Sequence, residues 1–398
     1  MAPRASAQVA ASAEGAGRTR FAVEGEAAVN VAPEEPYYFH DTDYDHNALR
    51  LVTGALGASF TLAPPLAVIG EVRVENDDGL RVSALYVRLR PWGDRPVAIQ
   101  AGRIPPVFGA FSRYRYGSDN PLVSLPLPYQ YLSTLRSDRV PPDADALLSV
   151  RGRGWFVSYG LPPSTAGADA AYYDHGLPLV STSRWDTGVQ VHVNTDALEA
   201  TAAVTVGSLS RPRVSDDNDG KQLVGRVVWR PTAAWAFGVS AARGEYLGRE
   251  ALGEPGGSPS NVGPWIQRGL GLDVAFSSGH LRVRGEAISS AWRVPVLDSP
   301  EIASPLEATS GTLEVLYRLA PAIDVAARAD YLTFSDIQGT LHGGHPTTWD
   351  ADVTRLEIGG SYRLTRQLRL KVVYQHNWRY ADERISDGFP AAQLSFWF

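Results

Sequence analysis

Full charges recur on alternate residues in several long, otherwise apolar stretches of this chain, and no other feature restricts its fold as much. Arg282, Arg284 and Glu286 alternate with Leu281, Val283 and Ala287. Asp324, Arg328 and Asp330 alternate with Ile323, Val325, Ala329 and Tyr331, and Arg369 and Lys371 with Leu368, Leu370, Val372 and Tyr374. A period of two places each set on its own face of a β-strand. A face so densely charged belongs against water, because ionised groups in a packed core need partners for every charge. The opposite face is apolar and has to meet a core or lipid.

Segment length argues against a soluble sheet. The best stretches run to about ten residues or more, near what a tilted strand needs to cross a bilayer, whereas sandwich strands average about five or six. No repeat of roughly forty residues marks a propeller. No run of about eighteen apolar residues exists, so a helical span is not expected. A membrane barrel remains, since only alternate residues of its strands face lipid.

The pattern begins at Arg20. Phe21, Val23, Gly25, Ala27, Val29 and Val31 share one face, and Arg20, Glu24, Glu26 and Asn30 the other. Strands follow at 47–62, 66–75, 80–90 and 96–103, turning at Ala63-Pro64-Pro65 and at 91–95. Later short turns fall near Asn194-Thr195-Asp196, Pro231-Thr232-Ala233, Ser277-Ser278-Gly279, Ala320-Pro321 and Leu364-Thr365-Arg366, all with turn chemistry. Long Gly- and Pro-rich connections occupy 244–265, 292–308 and 336–352. Tight turns at one end and long loops at the other give the asymmetry of an outer-membrane barrel, in which the strand number is even.

About sixteen segments are clear; a further hairpin from Asp145–Val150 and Trp155–Leu161, turning at Arg151-Gly152-Arg153-Gly154, raises the number to about eighteen. The expectation is an all-β, transmembrane antiparallel barrel over 19–398 of about eighteen strands, with sixteen as the alternative. Residues 1–18, rich in Ala, Gly and Ser, are read as disordered. Ala5-Ser6-Ala7 resembles the site that follows an export signal, and the reading is that the signal itself is missing from this sequence.

Composition narrows the chemistry. With no cysteine, Cys-ligated metal sites and a disulfide scaffold are excluded. A net charge of -6 and the absence of a long basic stretch argue against nucleic acid. Tyr and Trp outnumber Phe, as suits a membrane–water boundary. Trp92, Trp185, Trp229, Trp235 and Trp378 lie near strand ends.

The last stretch alternates Ala392, Leu394, Phe396 and Phe398 with Gln393 and Ser395. Together with the alternating strands, the turn asymmetry and the tryptophans, it makes the chain from Arg20 to Phe398 resemble the Gram-negative outer-membrane porins. That resemblance implies passive passage of small hydrophilic solutes or ions and no enzymatic activity or cofactor. It also implies location in the outer membrane, contact with its lipid and lipopolysaccharide, and assembly as a homo-trimer. Leu394, Phe396 and Phe398 then look like the signal read by the barrel-assembly machinery. They would face lipid, with Gln393 and Ser395 toward the lumen and the first strand closing the barrel against the last.

In many porins the loop after the fifth strand folds inward, and the connection 104–144 has that position here. Arg103, Arg113, Arg115, Arg136 and Arg139 stand among Tyr114, Tyr116, Tyr129 and Tyr131, with Asp119, Asp138 and Asp143. Prolines 105, 106, 121, 126 and 128 stiffen it. An ordinary surface loop is the alternative. The sharper expectation is a constriction built by Arg103, Arg113, Tyr114, Arg115, Tyr116, Asp119, Arg136 and Arg139, which would attract anions and exclude bulky solutes. The lumen wall would carry Arg282, Arg284, Glu286, Arg328, Asp330, Arg369 and Lys371. The stretch 102–109 resembles phosphate-type porins faintly, but the only lysines are Lys221 and Lys371, and the lysine-rich character of those porins is missing.

Other chemistry has weaker support. Acidic clusters at His40, Asp41, Asp43, Asp45 and His46, and at Asp216, Asp217 and Asp219, lack EF-hand spacing. His342 and His345 lack a third zinc ligand, so no metal site is assigned. There is no Gly-x-Ser-x-Gly elbow or Walker loop, and His192, His280 and His376 have no evident catalytic partner. A non-channel barrel, either a hydrolase or a structural or adhesive protein, stands as the alternative function.

Overall fold

The computed structural model describes residues 20–33, 49–75, 79–93, 95–155, 157–159, 175–182, 185–216, 218, 220–248, 251, 264–295, 302 and 305–398. The expectations for 1–18, for His40 to His46 and for Asp217 and Asp219 lie outside the described residues, as do parts of 155–161.

Sixteen antiparallel strands close into one barrel. They are β1 (Arg20–Val31), β2 (Leu49–Ala63), β3 (Leu66–Glu75), β4 (Arg81–Leu89), β5 (Val97–Ile104), β6 (Asp186–Asn194), β7 (Leu198–Thr205) and β8 (Gln222–Trp229). The circuit continues with β9 (Trp235–Glu245), β10 (Ile266–Ser278), β11 (Leu281–Trp292), β12 (Leu306–Ala320) and β13 (Ile323–Phe334). After a two-residue ribbon outside the wall, β14 (Asp336–Ile337) with β15 (Thr347–Thr348), it ends with β16 (Asp352–Arg363), β17 (Leu368–Tyr380) and β18 (Arg384–Trp397). β18 lies between β17 and β1. The short turns 64–65, 195–197, 230–234, 279–280, 321–322 and 364–367 lie at one end of the barrel, where Arg20 and Phe398 also meet the wall, whereas the three-residue link 381–383 between β17 and β18 lies at the other.

The expected eighteen strands are therefore corrected to sixteen. Instead of forming a hairpin, Ala144–Leu148 is a short helix, α1. Asp143 caps it by accepting from the Ala146 N–H at 2.7 Å, as Asp does at a helix start. Ala144, Leu147 and Leu148, spaced for one helical face, are the buried residues. The apolar residues of this segment follow the helical period, which the Arg151-Gly152-Arg153-Gly154 turn signal does not reveal. The stretch beyond it packs backbone to backbone, with Gly154 against the Leu132 carbonyl.

Wall side chains separate by parity. Leu270 and Leu272, each more than 60% exposed, project outward with Val239, Leu313, Ile358 and Val372. Their neighbours Ser240, Glu314, Glu357 and Lys371 point inward and are buried. On β18, Leu394, Phe396 and Phe398 are exposed outside while Gln393 and Ser395 are buried inside. Trp229, Trp235, Phe237 and Phe276 form a ring-contact belt at the short-turn end, Trp235 stacked on Phe237 at 5.7 Å. Trp185 does not join such a belt: it is buried, its ring 6.3 Å from that of Tyr86.

Candidate functional site

From Pro105 to Gln130, between β5 and β6, the chain runs inside the barrel, and its polar groups bond inward-facing side chains around most of the wall. Glu26 of β1 accepts from the Gly117 and Ser118 amides at 2.5 and 3.2 Å. Glu71 of β3 accepts from Tyr116 Oη at 2.8 Å. Glu286 of β11 takes the Ala110 amide at 2.6 Å and Tyr129 Oη at 2.7 Å, and Glu314 of β12 takes Tyr114 Oη. Glu357 of β16 accepts from the Val123 and Ser124 amides at 3.1 and 3.2 Å.

Basic wall residues take the carbonyls. Lys371 of β17 donates to Gly117 O, Asn120 O and Leu122 O at 2.6, 2.6 and 3.1 Å, and to Gln393 of β18 at 2.7 Å. Arg328 of β13 donates to Ser124 O and Oγ, each at 2.6 Å. Arg355 of β16 reaches Leu125 O at 3.2 Å and Gln130 Oε1 at 2.7 Å. Irregular backbone away from water needs such partners. The wall charges supply them, which explains how Arg328, Lys371 and Glu357 can be fully buried.

An apolar core backs these bonds. Phe108, Phe111, Leu122, Leu127 and Leu135 of the segment are buried. Phe108 lies on Gly271 of β10, where an added Cβ would sit 3.0 Å from its ring. Toward the long-loop end, Trp349 packs edge-on to Trp292 and Phe334, at 5.9 and 4.7 Å. Sequence reasoning missed this cluster; the signal was Trp292 and Phe334 on the inward parity at the ends of β11 and β13.

The eight expected constriction residues do not gather into one ring. Tyr114 and Tyr116 are buried with their hydroxyls committed to wall carboxylates; burial, reinforced by those carboxylates, raises both phenol pKa values. Arg113 pairs with Asp119 at 3.2 Å and keeps about a third of its side chain exposed. Arg115 pairs with Glu75. Arg136 is buried elsewhere, held by Asp138 at 2.5–2.8 Å and by Val157 O at 2.7 Å, and Arg139 is half-buried in the same stretch. Arg103, on β5, donates to the Trp185 and Val82 carbonyls.

Of the expected wall residues, Arg328, Asp330, Glu286 and Lys371 are buried anchors. Arg282, Arg284 and Arg369 are half-buried, and Arg284 donates to Tyr114 Oη at 3.0 Å. Arg318 of β12 and Arg363 of β16 join them toward the short-turn end, lying 3.2 and 3.8 Å from Asp324. These two were missed, although they share the inward parity of their strands. Arg282, Arg318, Arg363 and Arg369 thus stand on β11, β12, β16 and β17 near Asp324, while Arg284 is turned to Tyr114.

Two histidines have partners that were not expected. His192 Nδ1 lies 2.7 Å from Thr201 Oγ1, and His376 Nε2 lies 2.9 Å from Ser386 Oγ on the outer wall. No carboxylate hydrogen-bonds to His376 among the described residues.

A closed sixteen-stranded barrel with a chain segment held across its lumen has the porin-like β-barrel architecture of outer-membrane proteins. Solved structures agree at the level of fold. An anion-selective porin from Comamonas acidovorans superposes with a TM-score of 0.55 at 10% identity, covering 96% of this chain and 100% of that one. The outer membrane channel DcaP of Acinetobacter baumannii gives 0.54 at 10% identity, covering 96% and 97%. OmpT, an outer membrane protein of Vibrio cholerae, gives 0.53 at 10% identity in its trimer form, covering 96% and 100%. No family model and no curated protein matches the sequence.

Proposed function

We propose that the chain is an outer-membrane porin through which small hydrophilic solutes and ions diffuse passively. The inward segment narrows the lumen, and the arginines bias it toward anions. The observation that carries this reading is the separation of the wall into a charged inner face and an aliphatic outer face, which a lipid-embedded tube requires. Arg113, Arg282, Arg284, Arg318, Arg363 and Arg369 outnumber Asp119 and Asp324 beside the segment, and charge at a narrow point acts through its local field. The anion-selective porin among the structural neighbours and the trimer form of OmpT support anion preference and a homo-trimer. Lipid, lipopolysaccharide and the barrel-assembly machinery are the partners this location supplies. The outward Leu394, Phe396 and Phe398 are available to that machinery.

Reconstitution in a planar bilayer tests the reading. Stepwise conductance is expected, with a reversal potential in a salt gradient displaced toward that of the anion. Replacing Arg282, Arg284 and Arg369 with Ala moves it toward the cation. A folded barrel that never conducts would sink the proposal.

That outcome would favour the second reading, a barrel that is not a channel, whose supporting observation is how completely Phe111, Leu122, Leu127 and Ser133 are buried inside the barrel. A hydrolase has less behind it. Among the described residues no acid hydrogen-bonds to His376 of the Ser386–His376 pair, as one would to orient a catalytic histidine.

A further inference from the structure

Arg243 of β9 and Arg268 of β10 are direct cross-strand neighbours on the outer wall, and both are exposed. Like charges facing each other across a ladder destabilise it, since opposed side chains stand only about 5 Å apart. Neither arginine makes an ion pair among the described residues. On the same row their flanking residues are Leu223 and Ala291. The next acid, Glu307, is two strands from Arg268, about 10 Å away. Glu245, above Arg243, lies against Gly220, and Lys221 is engaged by Asp216. Arg293, at the end of β11 beside Ile266, adds a third positive charge with its guanidinium over Trp265.

Below the pair the wall is aliphatic. Leu270 is paired with Ala241 and Leu272 with Val239, and Leu270, Leu272, Val239 and Leu223 are all more than half exposed. Arg268 stands at the far end of β10 from Ser278, about 25 Å up the wall for a strand tilted like those of outer-membrane barrels. That matches the height of the apolar band of such a barrel. A paired positive charge at the headgroup boundary, over an exposed aliphatic column, fits a ligand with phosphate above and acyl chains below.

We propose that Arg243 and Arg268 form a clamp for the phosphate of an outer-leaflet lipid whose acyl chains lie along Ala241, Leu270, Leu272 and Val239. The inference rests on the membrane reading but not on conduction. It is tested by native mass spectrometry of the detergent-solubilised full chain with diphosphoryl lipid A, against inorganic phosphate as competitor. Wild type retains lipid A. The double variant R243A/R268A loses about thirtyfold in retention, from roughly fivefold for each basic residue near an anionic membrane surface, while R243K/R268K keeps most of it. Equal retention by wild type and the alanine variant overturns the clamp, as does complete displacement by millimolar inorganic phosphate. Unchanged lipid with loss of a trimer in the alanine variant assigns the pair to a second copy of the chain instead. Wild type that fails to float with vesicles takes down the membrane reading and the clamp together; flotation with unaltered retention removes only the clamp.

Discussion

Arg328 Nη2 and Glu357 Oε2 lie 2.6 Å apart inside the barrel, both side chains fully buried, and Ser124 of the inward segment bonds to both. Asp330 and Glu314 stand within 3.3 and 3.7 Å of the same guanidinium. Removing Arg328 strands three carboxylates without solvent, whereas exchanging Arg328 and Glu357 together for apolar side chains of similar volume leaves only Asp330 and Glu314 without it. Arg328→Met is expected to destabilise the barrel by about 3–5 kcal/mol. Adding Glu357→Leu should recover part of that loss. Thermal unfolding of the four proteins in detergent, arranged as a double-mutant cycle, measures the coupling.

The tyrosine hydroxyls of the segment are committed to the barrel wall. Tyr114, Tyr116 and Tyr129 each bond to a glutamate on a different strand. Changing each to Phe keeps the ring and takes a donor from a buried carboxylate, a cost of about 1–3 kcal/mol, and at Tyr114 it also removes the acceptor for Arg284. The triple variant should still fold while its single-channel current becomes noisier between open sublevels. A trace as quiet as wild type would mean that the apolar core alone fixes the segment.

Asp350 gives the stability of the fold a pH dependence. Its carboxylate accepts from the Gly152, Ala351 and Thr134 amides at 2.7, 2.7 and 2.9 Å and from Tyr131 Oη at 3.2 Å. Burial outweighs those bonds and pushes its pKa up to about 6. A carboxyl with a raised folded pKa stabilises the fold most below its ordinary pKa, and the contribution is lost as pH rises through the folded value. Stability should therefore fall between about pH 4 and pH 6, by on the order of 3 kcal/mol from this group. Asp350→Asn should flatten that part of the unfolding profile.

Much of the architecture was legible because barrel strands obey parity. The alternation at Leu281–Glu286 or Leu368–Tyr374 needs only the strand period to give the inner and outer faces, and turn residues mark one end. Strand number failed at 145–161, where Asp143 and the Ala144, Leu147, Leu148 spacing encode a helix and two arginine–glycine steps imitate a hairpin. The site was harder to read. Arg113 and Tyr114 are adjacent in sequence, yet one keeps part of its side chain exposed while the other bonds to Glu314, two hundred residues on. No local pattern distinguishes a charge that lines a passage from one that anchors a backbone. Lys371 looked like a wall residue facing water, but the three carbonyls that surround it come from a segment more than two hundred residues earlier.

Barrel closure can be tested at Gly25, whose amide and carbonyl exchange hydrogen bonds with Phe398 at 3.3 and 3.0 Å. The ring of Phe398 lies over this glycine, so that any Cβ at position 25 collides with it. Ring and glycine share the outer face where β1 meets β18, and because the Phe398 ring is 57% exposed it can swing away from an added side chain, so that the cost is the loss of its contact with the wall. Gly25→Val should lower the midpoint of heat modification, because the ring has to leave the wall or the end of the β1–β18 pair has to open. Phe398→Ala on its own removes ring contact but leaves both backbone bonds available. If the clash is the cause, Gly25→Val will cost much less in the Phe398→Ala background than in wild type. Equal losses in the two backgrounds would place the defect in the strand itself.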